Sequence, residues 1–145
     1  MTAKRLGVLY WVVTLLFLLP MAGSGVPELL LERPASTAAT FVHLGYPLYL
    51  LRILGLAKVL GAVAIASNRS RTLKEWAYAG YTFNLLGATA SHLVVGDGPI
   101  AAAPAIMLVL VLISYRLWSG AAVAQTTASW PRAGAPQVSG NASTT

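Results

Sequence analysis

Two cations, Arg52 and Lys58, lie inside one long apolar stretch of the chain. The stretch covers residues 46–66, reads YPLYLLRILGLAKVLGAVAIA, and is long enough to cross a bilayer. A lysine or arginine at mid-bilayer costs about 2.5–3.5 kcal/mol on insertion scales, so such residues usually face a bundle interior, a partner or a water-filled pocket. The pattern therefore predicts a membrane protein with a polar interior.

A second apolar stretch, about residues 75–95, carries its polar side chains on one face. At about 100° per residue, one broad stripe contains Tyr78, Tyr81, Asn84, Ala88, Ser91 and His92. If the two stretches are antiparallel helices with a rise of about 1.5 Å per residue, Asn84 lies level with Lys58. His92 then lies near the opposite end, somewhat beyond Arg52. The polar residues of the two helices are thus matched in depth.

These side chains define a candidate site. The residues expected to contact a ligand are Arg52, Lys58, Tyr78, Tyr81, Asn84 and His92. The candidates for acid–base chemistry are Lys58, Glu75 and His92, because a lysine or histidine removed from water can exchange protons near neutral pH. The sequence has no nucleophile elbow, no glycine-rich phosphate loop and no cluster of metal ligands. We therefore expect no metal, and the catalytic residues stay unknown.

Each candidate also has a purely structural interpretation. Lys58 could extend its side chain to the membrane surface. Arg52 could do the same, or pair with Glu28 or Glu32. Asn84 could form a hydrogen bond between helices instead of contacting a ligand. The orientation of Lys58 decides between these interpretations.

Four apolar segments organise the chain, each close to the roughly 20 residues that a membrane span requires. They cover about residues 6–22, 46–66, 75–95 and 100–117. Basic residues precede the first segment, fill the gap between the second and third, and follow the fourth, whereas the two other gaps are mainly acidic. This positive-inside pattern predicts an all-α integral membrane four-helix bundle with both termini cytoplasmic.

The long connection after the first segment is expected to hold short interfacial helices near residues 27–33 and 36–44. The first segment itself has an alternative interpretation as a secretory signal peptide, since two cations and an apolar core precede Ala22-Gly23-Ser24. We interpret it as a retained span, because three remaining helices would make a poor bundle. Residues 1–120 then form the membrane domain, and residues 121–145 a disordered cytoplasmic tail rich in Thr, Ser, Ala, Pro and Gly.

Composition excludes several classes of protein. The chain is 57% hydrophobic and 10% charged, whereas a soluble domain carries about 25% charged residues. The net charge is +6, but the cations flank the spans instead of lining one face, so we expect the partner to be the lipid bilayer and not nucleic acid. The absence of cysteine excludes disulfides and thiol-based redox relays. We expect no intrinsic cofactor.

Two stretches carry more specific motifs. They are HLGYPLYLLRILGLAKVLGA, residues 43–62, and LKEWAYAGYTFNLLGATASH, residues 73–92. Together they resemble the DoxX-like family of small bacterial membrane proteins, over a region from about Tyr10 to Trp118. The resemblance implies a multi-pass four-helix bundle in the bacterial inner membrane. It also implies a connection to quinone, thiol or oxidative-stress handling, and it assigns no catalytic residue.

Two functions fit these observations. The first is a polar-lined intramembrane cavity that binds a lipophilic, quinone-like small molecule, or an accessory subunit that docks a membrane or cytoplasmic redox partner. The second is a small membrane-embedded isomerase, cyclase or hydrolase that uses acid–base chemistry on an apolar substrate. Whether the protein is an enzyme stays open. A homodimer formed through faces of small residues is a further expectation.

Overall fold

The computed structural model describes residues 3–30, 35–67 and 69–129, with side chains from residue 4 as far as residue 120. The described residues form five α-helices and no strand. The helices are α1 (Ala3–Leu30), α2 (Ala35–His43), α3 (Tyr49–Ser67), α4 (Arg71–Val94) and α5 (Ala102–Ser129). The prediction of an all-α fold is confirmed. The structure has five helices in these residues, whereas the predicted bundle has four; the additional helix, α2, lies in the connection after α1.

The four long helices contact one another in a cycle. α1 packs against α3 and α5, and α4 also packs against α3 and α5. One end of this assembly contains the start of α4, and we call it the Lys74 end. The other end contains α2 and the turn between α4 and α5, and we call it the Asp97 end.

The interior combines an aromatic core with buried polar groups. Phe17, Tyr78, Tyr81 and Val111 belong to the main hydrophobic cluster. The buried polar residues are Thr14, Glu28, Lys74, His92 and Ser114. The outer surface is strongly apolar instead, with Trp76 72% exposed and Phe83 74% exposed. Polar groups inside and large apolar side chains outside are the arrangement that a lipid environment favours.

Three helices are long and apolar enough to cross a membrane: α1, α3 and α5. α4 is not among them, because its polar stripe lowers its hydropathy over the whole helix. Together with the apolar surface, the three candidate spans indicate a membrane protein.

α5 continues to Ser129, which is within the predicted tail. Residues 130–145 lie outside the described residues, and the division into domain and tail stays a prediction.

α1 is longer than the sequence indicated. The first apolar segment was predicted to end near Ala22, with a separate interfacial helix at residues 27–33. The structure instead continues α1 through Pro20 and Pro27 to Leu30, and residues 31–34 lie outside the described residues. Membrane helices tolerate internal proline and glycine because neighbouring groups satisfy the freed backbone. The predicted second short helix, residues 36–44, corresponds to α2.

A glycine contact explains why α1 continues beyond Ala22. A Cβ atom on Gly55 of α3 would lie 2.8 Å from the Gly25 carbonyl oxygen and 2.8 Å from the Leu29 backbone nitrogen of α1. A Cβ atom on Gly25 would lie 2.9 Å from the Lys58 Cβ atom. Neither glycine can carry a side chain without moving a backbone. Small residues of this kind let membrane helices approach closely.

We expect Gly55→Ala to destabilise the protein by about 1–3 kcal/mol, because the added methyl group must push α1 away from α3. Gly23→Ala is the matched control, since Gly23 lies on α1 two residues before Gly25 and a Cβ there meets nothing within 4 Å. Thermal unfolding in detergent measures both variants. Equal melting temperatures for the two variants would show that the contact is not tight.

Candidate functional site

A cavity of about 450 Å³ lies among the helices in the half of the molecule near the Asp97 end. We call it the main cavity. Its walls are mostly apolar, for example Phe41 of α2, Leu54 of α3 and Met107 of α5. The polar residues on its walls are Thr40, Tyr46, Lys58, Asn84 and His92. All three α3 and α4 residues in that set were predicted from the sequence to contact a ligand.

A second opening of about 320 Å³ lies between α3 and α4, toward the Lys74 end, and we call it the α3–α4 groove. Small residues, among them Ala64 and Gly80, leave the space that it occupies. Three residues line both openings: Leu54, Lys58 and Asn84. The main cavity and the α3–α4 groove are therefore adjacent, with Lys58 and Asn84 at their junction.

Lys58 is held in an ion pair with Glu28 of α1. Its Nζ atom donates to both carboxylate oxygens, at 2.7 Å and 2.8 Å, and to the Ser24 hydroxyl at 3.3 Å. Only 13% of the Lys58 side chain and 5% of the Glu28 side chain are exposed. An ammonium group has three donors, and all three are engaged. Lys58 therefore contributes to the site a cation whose charge is offset by Glu28, and not a free cation.

The glycine contact between α1 and α3 positions this pair. Glu28 follows Gly25 by three residues, and Lys58 follows Gly55 by three residues, so each charged side chain lies about one helical turn beyond its glycine. Tyr81 of α4 supports Lys58 from the other side, because its hydroxyl donates to the Lys58 carbonyl oxygen at 2.5 Å. Lys58 is thereby fixed by two neighbouring helices at once.

Two histidines share one carboxylate oxygen at the Asp97 end. Asp97 Oδ2 accepts from His92 Nδ1 at 3.1 Å and from His43 Nε2 at 2.9 Å. The turn that places Asp97 contains Gly96, whose φ of +88° favours glycine. The hydrogen bond from His92, and a smaller contribution from His43, hold the pKa of Asp97 below its ordinary value. His92 is thus oriented by Asp97 while its ring lines the main cavity.

A separate polar cluster closes the interior at the Lys74 end. The Ser114 hydroxyl lies 2.6 Å from the Thr14 hydroxyl and 2.8 Å from the Tyr78 hydroxyl, and joins α1, α4 and α5. Lys74 is 1% exposed, and its ammonium lies 5.1 Å from the ring centre of Tyr10 and 5.2 Å from that of Trp118. Cation–π attraction of this kind stabilises a buried ammonium group.

The predicted site residues therefore separate into groups. Lys58, Asn84 and His92 line the main cavity, and Tyr81 lines the α3–α4 groove. The other predicted residues lie elsewhere: Tyr78 in the cluster at the Lys74 end, Arg52 exposed on α3, and Glu75 at the surface, where it accepts from Arg71 at 3.0 Å. Arg52 lines neither opening and does not pair with Glu28. Glu32 lies outside the described residues.

Three residues of the site were not predicted to belong to it. Glu28 was placed in a connection outside the membrane, yet it is the partner of Lys58. The signal that could have identified it is the repeated spacing of a glycine and a charge, Gly25 to Glu28 and Gly55 to Lys58. His43 carries no comparable signal, because it meets Asp97 only through the fold, whereas Asp97 follows His92 by five residues in the sequence.

Comparison with known families found a match for this chain. The family model described as the DoxX-like family matches residues 12–114, about seven tenths of the chain. The chain belongs to the DoxX-like family. No curated protein and no solved structure matches it. In this DoxX-like protein the matched region includes the Glu28–Lys58 pair and the whole of α2, α3 and α4. The resemblance seen in the sequence is confirmed.

We expect Lys58→Met to destabilise the protein by about 3–5 kcal/mol, because the Glu28 carboxylate is left buried without its cation. The double variant Glu28→Gln with Lys58→Met should recover much of that loss, since both charges are removed. Unfolding in detergent of the wild type, the two single variants and the double variant gives the coupling energy. A double variant as unstable as Lys58→Met alone would contradict the pairing.

The lowered pKa of Asp97 predicts the pH dependence of the Asp97 end. The carboxylate contributes stability that is fully present above its ordinary pKa of 3.8 and is lost as the pH falls through the lower value of the folded protein. The wild type should therefore melt above Asp97→Asn near neutral pH, and the difference should shrink on acidification below that ordinary value. Melting curves of both proteins across this range, with His43→Leu to remove one donor, measure the effect. A constant difference would contradict it.

Proposed function

We propose that this DoxX-like protein spans the bacterial inner membrane four times, with both termini cytoplasmic, and holds a lipophilic, quinone-like small molecule in the main cavity. The molecule is bound and exchanged with the membrane, and redox or stress handling is the process that it serves. The observation that carries the proposal is the main cavity itself, with its apolar walls and few polar groups.

The charge distribution supports the topology. α4 has 24 residues, which at about 1.5 Å per residue exceeds the roughly 30 Å of a hydrocarbon core. It packs between α3 and α5, both apolar enough to span. Lys4, Arg71 and Arg116 all lie toward the Lys74 end, whereas the charged group of the turn at the opposite end is Asp97. By the positive-inside rule, we expect the Lys74 end to face the cytoplasm.

The dimensions and the chemistry of the main cavity support a small-molecule ligand. Ligand sites measure about 300–1,000 Å³ and combine mainly apolar walls with a few polar groups that fix orientation. A volume of about 450 Å³ falls within that range. Asn84 and His92 supply hydrogen-bonding groups on its α4 wall, and these suit the carbonyl or hydroxyl oxygens of a quinone or quinol.

A membrane-embedded acid–base enzyme is the second candidate, and one observation favours it. His92 Nδ1 is engaged by Asp97, while its ring also lines the main cavity. A carboxylate that orients an imidazole is the arrangement used to position a general base. Lys58 does not contribute in the same way, since Glu28 engages its ammonium group. If a variant such as His92→Gln still bound the molecule but no longer converted it to a product, that result would favour this second candidate.

Gly87→Leu provides the test of the proposed ligand site. Gly87 lines the main cavity, and a Cβ there meets nothing within 4 Å, so leucine should fill the cavity without displacing the helices. We expect a specific lipophilic molecule to copurify with the wild type in native-lipid discs and to be reduced at least about tenfold in this variant, as measured by mass spectrometry.

The matched control for that experiment is Gly23→Leu. It makes the same chemical change at another open position that lines neither the main cavity nor the α3–α4 groove. The control should retain the molecule at the level of the wild type. Bulk lipid alone in all three samples would overturn the proposal and favour a protein that docks a partner.

A further inference from the structure

We infer that the ligand is an uncharged amphiphile whose polar head hydrogen-bonds to Asn84 in the main cavity and whose apolar tail lies along the α3–α4 groove. The inference rests on the proposed function and extends it, because it states the charge of the ligand, its shape and the residue that recognises it. Three observations carry it: the saturated ammonium of Lys58, the unpaired amide of Asn84, and the continuity of the two openings.

The charge of the ligand follows from the Glu28–Lys58 pair. A free buried cation would attract a carboxylate or phosphate head. Here Glu28 occupies two of the Lys58 donors, and the Ser24 hydroxyl occupies the third. An anionic head could bind Lys58 only by displacing a buried carboxylate, which would then lack a partner. The site therefore favours a neutral head over an anionic one.

Asn84 is the polar group at the junction that has no partner in the described part of the chain. Its side-chain amide forms no hydrogen bond within the described residues, whereas the neighbouring Tyr81 hydroxyl and Lys58 ammonium each form one or more. An amide offers two donors and one acceptor oxygen, so it can donate to a carbonyl and accept from a hydroxyl. This capacity matches the two redox forms of a quinone head as well as an alcohol or a ketone.

The α3–α4 groove provides the place for the tail. It begins at Leu54, Lys58 and Asn84, where the main cavity ends, and continues toward Leu73 and Trp76. Both of these outer side chains are largely exposed on the apolar surface of the helices, so the groove opens sideways. A head held at Asn84 would send an attached chain along this groove into the lipid.

Gly80 offers a variant that tests the tail without touching the head. It lines the groove but not the main cavity, and a Cβ there meets nothing within 4 Å. Gly80→Leu should therefore fold, and it removes the weak helix former glycine as well. The probes are a benzoquinone that carries one decyl chain and the same head without the chain, with binding measured in discs of a single lipid.

We expect Gly80→Leu to weaken binding of the decyl probe at least about tenfold and to leave the short probe unchanged. Leucine is close to asparagine in volume, and the substitution leaves no other group in the described residues without a hydrogen-bond partner. Asn84→Leu should therefore weaken binding of both probes by a similar factor. Gly23→Leu should change neither. If Gly80→Leu weakened binding of both probes equally, or of neither, the placement of the tail would be overturned. Binding of the head in the main cavity would not be affected by that result.

The charge of the head is tested with two probes of equal chain length, decanoic acid and its methyl ester. The ester should compete with the decyl quinone for the wild type, and the acid at neutral pH should compete at least about tenfold more weakly. Stronger competition by the acid would overturn the neutral head. If neither quinone probe binds the wild type, the proposed function fails together with the inference, and that result is distinct from a selective failure of the tail or charge tests.

Discussion

The close contact of α1 and α3 at Gly25 and Gly55 is the constraint on which the rest of the site depends. An unpaired lysine or carboxylate inside a membrane costs several kcal/mol, and the cost falls when the two charges meet with good geometry. Glu28 and Lys58 meet at 2.7 Å because neither glycine carries a side chain between the two backbones. The glycines therefore make the ion pair attainable, and the ion pair in turn fixes the register of α1 on α3.

Polar networks hold the two ends of the molecule, and the cavity lies between them. At the Lys74 end, Ser114 joins α1, α4 and α5 through hydroxyl groups. At the Asp97 end, Asp97 joins α2 to α4 through two histidines. The walls between these networks are mainly apolar, and Asn84 is an amide there without a described partner. Each network fixes helix positions at its own end, so the helices can separate enough between them to leave a space for a ligand.

The sequence predicted the helices, the family and three of the residues on the main cavity, because hydrophobic periodicity reports which face of a helix is polar. It could not predict which neighbour that face meets. Tyr78 and Asn84 share the stripe of α4, yet Tyr78 contacts Ser114 of α5 whereas Asn84 lies beside α3. Arg52 is a second example. It lies about 120° around α3 from Lys58, and that face of the helix is exposed, which the sequence pattern did not indicate.

Glu28 was misplaced for a different physical reason. The residues before it, Gly23-Ser24-Gly25 and Pro27, favour a turn in water, but a helix packed inside a bundle tolerates them because its neighbours satisfy the backbone. Gly25 is there for packing, not for a turn. The missing information was the pairing of α1 with α3, and once that pairing is known the spacing of Glu28 and Lys58 follows directly.

The saturated ion pair also bears on how a ligand could come and go. In the part of the chain that the structure describes, no fully buried side-chain nitrogen or oxygen lacks a hydrogen-bond partner, and the half-buried Asn84 faces the two openings. A ligand that bound Lys58 would have to break its pair with Glu28, and it would leave the Glu28 carboxylate buried without its cation. A ligand recognised by the neutral amide of Asn84 and by apolar walls avoids both costs. Selectivity at such a site arises from shape and from one hydrogen bond, which suits a molecule that exchanges with the membrane more than one that is held permanently.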